Sequence, residues 1–151
     1  MKKVKSLKPI EIGYIAGLID GEGTITLCRK HINEYRQLAV TIASTEHDLI
    51  KKILDIVGAG KITKKKPYKE RHSEAYTYQI YNQQAINLLN QVHSNLQTYK
   101  RKRAKFVLEN YNRLTPRNGR YSKELLAKKE EFVKSFFEIK AIPSKVEYST
   151  I

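Results

Sequence analysis

Hydrophobic positions along this 151-residue chain change period several times, and each change marks an element. The stretch PIEIGYIAGLID, from Pro9 to Asp20, predicts a helix: Pro9 suits its first turn, Glu11 suits the positive helix end, and Gly21 and Gly23 stop it. TITLCRK then alternates, with Ile25 and Leu27 on one face and Thr24, Thr26, Cys28 and Lys30 on the other. After a turn around Asn33, QLAVTIA alternates again, setting Leu38, Val40 and Ile42 against Gln37, Ala39, Thr41 and Ala43. Two strands with one apolar face each read as antiparallel sheet covered on one side. Helical spacing returns at Leu49, Ile50, Ile53, Leu54 and Val57, with Thr45 as the expected N-cap and Gly58 as the stop.

The cycle repeats. KITKKK and YTYQIY predict two more strands, and Ala85, Ile86, Leu88, Leu89, Val92 and Leu96 a further helix. The fold class is therefore α+β, an αββαββα core over about 9–114, with accessory helices over about 115–140 and a loose tail at 141–151. In the accessory part Ser122 is placed to cap a helix carrying Leu125, Phe132, Val133 and Phe136. No internal repeat is visible, so the chain reads as one domain.

Composition narrows the function. Lys and Arg number 29 against 15 acidic residues, a formal net charge of +14, and such charge favours polyanionic partners, nucleic acid first. A single cysteine, Cys28, supports neither a disulfide framework nor a Cys-rich zinc site, and the four histidines have no metal-ligand spacing. No apolar run approaches the ~18 residues of a membrane span. The basic start is broken by Pro9 and Glu11 before any leader-like apolar run forms, so an intracellular protein is expected, in an organelle or a prokaryotic cytoplasm.

The concentrated chemistry lies in IAGLIDGEG, Ile15 to Gly23. Gly13, Ala16 and Gly17 lack bulk, and a glycine inside a helix costs about 1 kcal/mol relative to alanine, which points to a compensating close contact. Asp20 and Glu22 then place two carboxylates at a helix C-terminus, the unfavourable end for negative charge. As an isolated tetrapeptide DGEG suits an ordinary turn; at the end of a packed helix it suits a hard cation such as Mg²⁺.

This segment resembles the signature of the LAGLIDADG homing endonucleases, and the αββαββα order resembles their core. The resemblance implies a metal-dependent endonuclease acting on double-stranded DNA. It implies that Glu22 and the Gly21 carbonyl bind the metal, that Asp20 holds the helix end, and that Lys100, with Lys102 as the alternative, is the active-site lysine. Thr45 or Glu46 stands where relatives carry a polar residue that organises water. One motif without a repeat implies a homodimer in which the helix, through Gly13, Ala16, Gly17 and Asp20, meets its twofold mate over a near-palindromic site, cut to leave short 3′ overhangs. The sheet is the expected DNA reader, through Thr24, Thr26, Cys28, Lys30, Gln37, Ala39 and Thr41, then Lys61, Thr63 and Lys65, then Thr77 and Gln79. Tyr76, Tyr78 and Ile80 are expected to face the helices instead; a one-residue slip would exchange these last two sets. The same fold could alternatively serve an intron RNA maturase or a DNA-binding regulator that does not cut.

Overall fold

The computed structural model describes residues 2–65, 74–144 and 146–149. Its elements are α1 (Pro9–Glu22), β1 (Gly23–Cys28), β2 (Gln37–Ser44), α2 (His47–Val57), β3 (Lys61–Lys65), β4 (Ala75–Tyr81), α3 (Asn82–Val92), α4 (Tyr99–Asn110) and α5 (Lys123–Glu138). The order αββαββα is as the sequence predicts. The four strands form one antiparallel sheet in the order β1-β2-β4-β3.

Alternation decides which face is covered. Ile25, Leu27, Leu38, Val40, Ile42, Tyr78 and Ile80 are buried, and they meet Ile15, Ile19, Ile50, Ile53, Leu88 and Leu89 from the helices in one core. The Tyr78 hydroxyl donates to the Ala59 carbonyl at 2.7 Å, which satisfies its buried phenol. Tyr76 lies on the helix side too, 4.6 Å from the His47 ring. The predicted register of β4 therefore holds.

Several boundaries differ from expectation for local reasons. Helix α1 runs through Gly21 and ends at Glu22, and Gly23 is the glycine its junction requires, because a Cβ there would lie 2.7 Å from Ile19 Cα. Strand β1 ends at Cys28, so Lys30 stands beyond the hydrogen-bonded ladder although the alternation continues. Helix α2 is preceded by Glu46 rather than capped by Thr45; the Glu46 N–H is taken instead by the Ser44 hydroxyl at 3.0 Å. Lys66 and the charged loop after it lie outside the described residues, apart from Glu74 and Ala75.

One helix, α5, occupies the 115–140 region where accessory helices are expected, and Ser122 caps it by accepting from the Leu125 N–H. It joins the common core through Phe132 and Phe136, the former stacked on Phe106 of α4 at 5.1 Å. Among the described residues, no helix is long and apolar enough to cross a membrane.

Candidate active site and nucleic-acid interface

Helix α1 is apolar nearly all round, and its two sides meet different surroundings. Ile15, Ala16 and Ile19 are buried in the chain's own core. Ile10, Gly13, Tyr14, Gly17 and Gly21, spaced at i, i+3, i+4, i+7 and i+11, share the opposite stripe. Ile10 is 81% exposed and Tyr14 45%, and nothing lies within 4 Å of a Cβ built on Gly13, Gly17 or Gly21. Ala16 does not belong to this stripe, contrary to expectation. At 100° per residue it falls among the inward positions, and it is 1% exposed.

The end of α1 carries the chemistry. Asp20 turns towards α4: one carboxylate oxygen accepts from the Gln97 N–H at 2.8 Å, the other from the Thr98 N–H at 3.1 Å and hydroxyl at 2.5 Å. Thr98 is in turn the N-cap of α4, accepting from the Lys100 N–H. Burial alone would raise the Asp20 carboxyl, but the bonds from Thr98 and Gln97 and the Lys100 charge outweigh it and hold the group below its ordinary range. Asp20 therefore has its hydrogen-bond partners within its own chain.

Lys100 reaches back in the other direction. Its ammonium donates to the carbonyls of Ile19 at 2.9 Å and Asp20 at 3.0 Å in the last turn of α1, the former also accepting from the Gly23 N–H. A cation there also meets the negative end of the helix dipole. Burial pushes this ammonium below the ordinary lysine range, against the opposing pull of Asp20 and Glu22. Lys102, one turn-step on, stays exposed and lines a groove of about 970 Å³ with Asp20, Thr98, Lys100 and the 138–143 segment.

Gly21 and Glu22 remain, both exposed. Among the described residues the Glu22 carboxylate accepts no hydrogen bond and forms no ion pair, although it lies close enough to Lys100 to act on its charge. No three His, Cys, Asp or Glu side chains of the described chain gather into a metal-binding group. What is present, a carboxylate next to a backbone carbonyl, is a hard-oxygen pair of the kind that suits Mg²⁺, which fills most of its shell with water and substrate oxygens. Glu46 leaves the sheet at the same end, since Gly23 pairs with Ile42 and β2 stops at Ser44.

The sheet's other face is open and polar. In register, Thr24 lies beside Thr41, Thr41 beside Gln79 and Gln79 beside Lys61, with Thr77 beside Thr63 in the next row. Cys28 pairs with Gln37 and Lys65 with Ala75. Ala39 is the exception to the expected reading set: it pairs with Thr26 on one side and Tyr81 on the other, and its short side chain is buried at 1% exposure below theirs. Tyr81, which continues the outward run Thr77, Gln79, belongs to this face and was within reach of the same period-2 reading. Its ring lies 5.0 Å from the Lys30 ammonium and 5.5 Å from that of Lys61. Arg103, by contrast, has a role that the pattern does not reveal. It donates to Ile25 and Ile139 carbonyls and lies over Tyr99, Phe136 and Phe137, fastening α4 to β1 and to the end of α5.

With this geometry in view, the comparisons with known proteins are consistent. The family model described as LAGLIDADG endonuclease matches residues 15–115. No curated protein matches the chain in sequence. In fold the chain is similar to the homing endonuclease I-CvuI, solved with the I-CreI target in 2 mM Mg with the DNA not cleaved, at a TM-score of 0.69 and 17% identity over 94% of this chain and 87% of that one. It is similar also to the archaeal intron-encoded homing endonuclease I-Vdi141I complexed with DNA, at a TM-score of 0.59 and 16% identity over 91% and 89%. Against the LAGLIDADG meganuclease I-AabMI bound to uncleaved DNA, the TM-score is 0.57 at 21% identity, and 82% of this chain covers 44% of that one.

Proposed function

The chain belongs to the LAGLIDADG endonuclease family, and on that premise we propose that two copies act together to cut both strands of a long, near-palindromic DNA site, leaving short 3′ overhangs. The observation that carries this reading is the division of α1. One helix holds an open small-residue stripe along its length and, at its end, an exposed carboxylate with no partner among the described residues. Packing two such stripes about a twofold axis covers Ile10 and Tyr14 and brings two Glu22 carboxylates to that axis, one for each strand.

Glu22 and the Gly21 carbonyl are the residues that would hold the divalent ion, for which Mg²⁺ is our choice. Bound there, such an ion neutralises charge on the scissile phosphate and helps generate the nucleophile. The chain's own contribution is positional. Asp20 fixes the start of α4, α4 delivers Lys100, and Lys100 holds the last carbonyls of α1 so that Gly21 and Glu22 project from a capped end. Two of the three Lys100 N–H groups are occupied, and the third is available to charge developing nearby. Glu46, at the same end of the sheet, would accept a hydrogen bond from ordered water. Thr24, Thr26, Cys28, Lys30, Gln37, Thr41, Lys61, Thr63, Lys65, Thr77 and Gln79 form the major-groove surface, and Lys102 serves the backbone. The setting is intracellular, in an organelle or a prokaryotic cytoplasm.

A regulator that only binds DNA gains nothing from a bare carboxylate beside phosphate, and nothing in the site favours RNA over duplex DNA. The test is Glu22→Gln on a plasmid carrying a site selected by the protein. Cleavage is expected to fall by roughly 100-fold or more, the scale of removing one preorganised charge-stabilising group, with binding retained. Equal cutting by both proteins would sink the assignment.

A further inference from the structure

On the outward sheet face, the Gln79 amide is held by two hydroxyls. Its Oε1 accepts from the Tyr81 hydroxyl at 2.7 Å, and its Nε2 donates to the Thr63 hydroxyl at 3.2 Å. The Tyr81 ring is in turn held between the Lys30 and Lys61 ammoniums. Gln79 itself sits in mid-sheet, between Thr41 and Lys61. A glutamine side chain on an open surface ordinarily rotates freely about its last torsion, which is broad; here both ends of the amide are tied and its plane is set.

Counting what remains gives a base preference. An amide offers two acceptor lone pairs and two N–H donors. One of each is used, which leaves one acceptor and one donor. Turning the amide over does not change the count, because either hydroxyl can donate or accept. In the major groove adenine presents an acceptor, N7, beside a donor, N6–H, whereas guanine presents two acceptors, thymine an acceptor and a methyl, and cytosine a donor. Only adenine matches both remaining groups.

We propose that Tyr81 is a positioning residue for sequence recognition: with Thr63 it locks the Gln79 amide so that this residue reads adenine at one position in each half-site. This rests on the DNA-reading role proposed above for the sheet. Burial pushes the Tyr81 phenol above its ordinary range, with Cys28 acting the same way, so its O–H is intact at neutral pH. Without that hydroxyl the amide regains rotation and can turn both N–H groups towards guanine, so the preference relaxes while the backbone contacts are untouched.

The experiment is a binding selection from a randomised duplex pool with divalent metal withheld, read by sequencing, for the wild type, Gln79→Leu, Tyr81→Phe and Thr63→Val. Gln79→Leu identifies the position that Gln79 reads. That position is expected to be an A·T pair preferred roughly tenfold in the wild type, within the range of a bidentate side chain–base pair. Tyr81→Phe, which keeps the ring between the two lysines, is expected to bring the preference there to within about threefold while every other position is unchanged, and Thr63→Val to act at the same position. A structural role for Tyr81 would lower the melting temperature or weaken every position alike, which overturns the proposal. So does a Gln79-dependent G·C pair, a Gln79→Leu profile equal to wild type, or a Tyr81→Phe profile equal to wild type. Should the wild type itself enrich no sequence, it is the underlying DNA-reading assignment that fails.

Discussion

Asp20→Asn isolates the joint between α1 and α4. The replacement has the same shape and removes one negative charge. The carboxylate now accepts three hydrogen bonds, two from Thr98 at 3.1 and 2.5 Å and one from the Gln97 N–H at 2.8 Å. An asparagine oxygen can keep the Thr98 pair, but its amide nitrogen then faces the Gln97 N–H, donor against donor. One charge-assisted bond is lost, the two retained become neutral, and the α4 N-terminus loses a nearby anion. Because the site is partly open to water, the expected cost is about 2 kcal/mol, nearer the floor than the sum of these effects. For a chain of this size that lowers the melting temperature by roughly 4–8 °C. The pH dependence follows from the direction of the shift. Asp20 is held below its ordinary range in the folded state, so its stabilisation is complete above the unfolded carboxylate pKa of about 4 and is lost as pH falls through the folded value. The gap between wild type and Asp20→Asn should be constant from neutral pH down to about 5 and close below that. Thermal melts across that range measure it, with strand cleavage at neutral pH as the second readout, expected to fall because Lys100 is delivered by the same joint. A melting temperature within about 1 °C of wild type at neutral pH, or a gap of the same size in acid, would refute the reasoning.

Two further perturbations separate folding from association and from charge burial. Gly17→Leu meets open space in the lone chain, and removing a helical glycine gains up to about 1 kcal/mol; the chain should fold as well or better yet sediment as a monomer, and a dimer on DNA would show that the stripe is not the contact. Lys129 is 2% exposed, and burial lowers it to about 8. A lysine with a depressed folded pKa penalises the protonated form, so the penalty is present below pH 8 and is relieved as pH rises towards the unfolded value. The Tyr111 ring, 4.4 Å away, and the Thr115 hydroxyl offset part of it. Wild type should therefore gain stability relative to Lys129→Met between about pH 8 and 10, by on the order of 2 kcal/mol, and parallel denaturation midpoints through that window would contradict it.

The sequence carried the element order and the strand faces because both depend on period, and period is local. The β4 alternation is legible for that reason, but aromatic and hydroxylated residues occupy both of its faces, and it is packing against the helices that puts Tyr78 and Ile80 inside. Exposure of a small side chain is not local. Ala39 holds an outward position by period and is still buried, because Thr26 and Tyr81 from the neighbouring strands rise above it. Gly13, Ala16 and Gly17 look alike in composition, yet helical rotation sends Ala16 inward and leaves the glycines open. The partners of Asp20 lie 77 and 78 residues away, beyond any local signal, although a threonine preceding YKRKR is the kind of residue that caps a helix. Lys30, beyond the ladder, meets the Tyr81 ring of β4, a contact between segments far apart in sequence.

The fate of the two motif acids shows how a protein of such positive charge keeps one carboxylate available. Asp20 and Glu22 stand two residues apart at the negative end of α1, a place that repels both. Asp20 escapes by turning to the N-terminal end of α4, where free N–H groups welcome it. That capture brings Lys100 to the α1 carbonyls, and its ammonium cancels the field that Glu22 would otherwise face. The two helices thus cap each other, the anion of one at the start of the other and the cation of the second at the end of the first. Glu22 remains exposed without a partner among the described side chains because its neighbour and Lys100 have already satisfied the helix ends. In the function proposed above, this one exposed carboxylate among basic residues is what separates a site that cuts DNA from a surplus of positive charge, which by itself argues only for holding it.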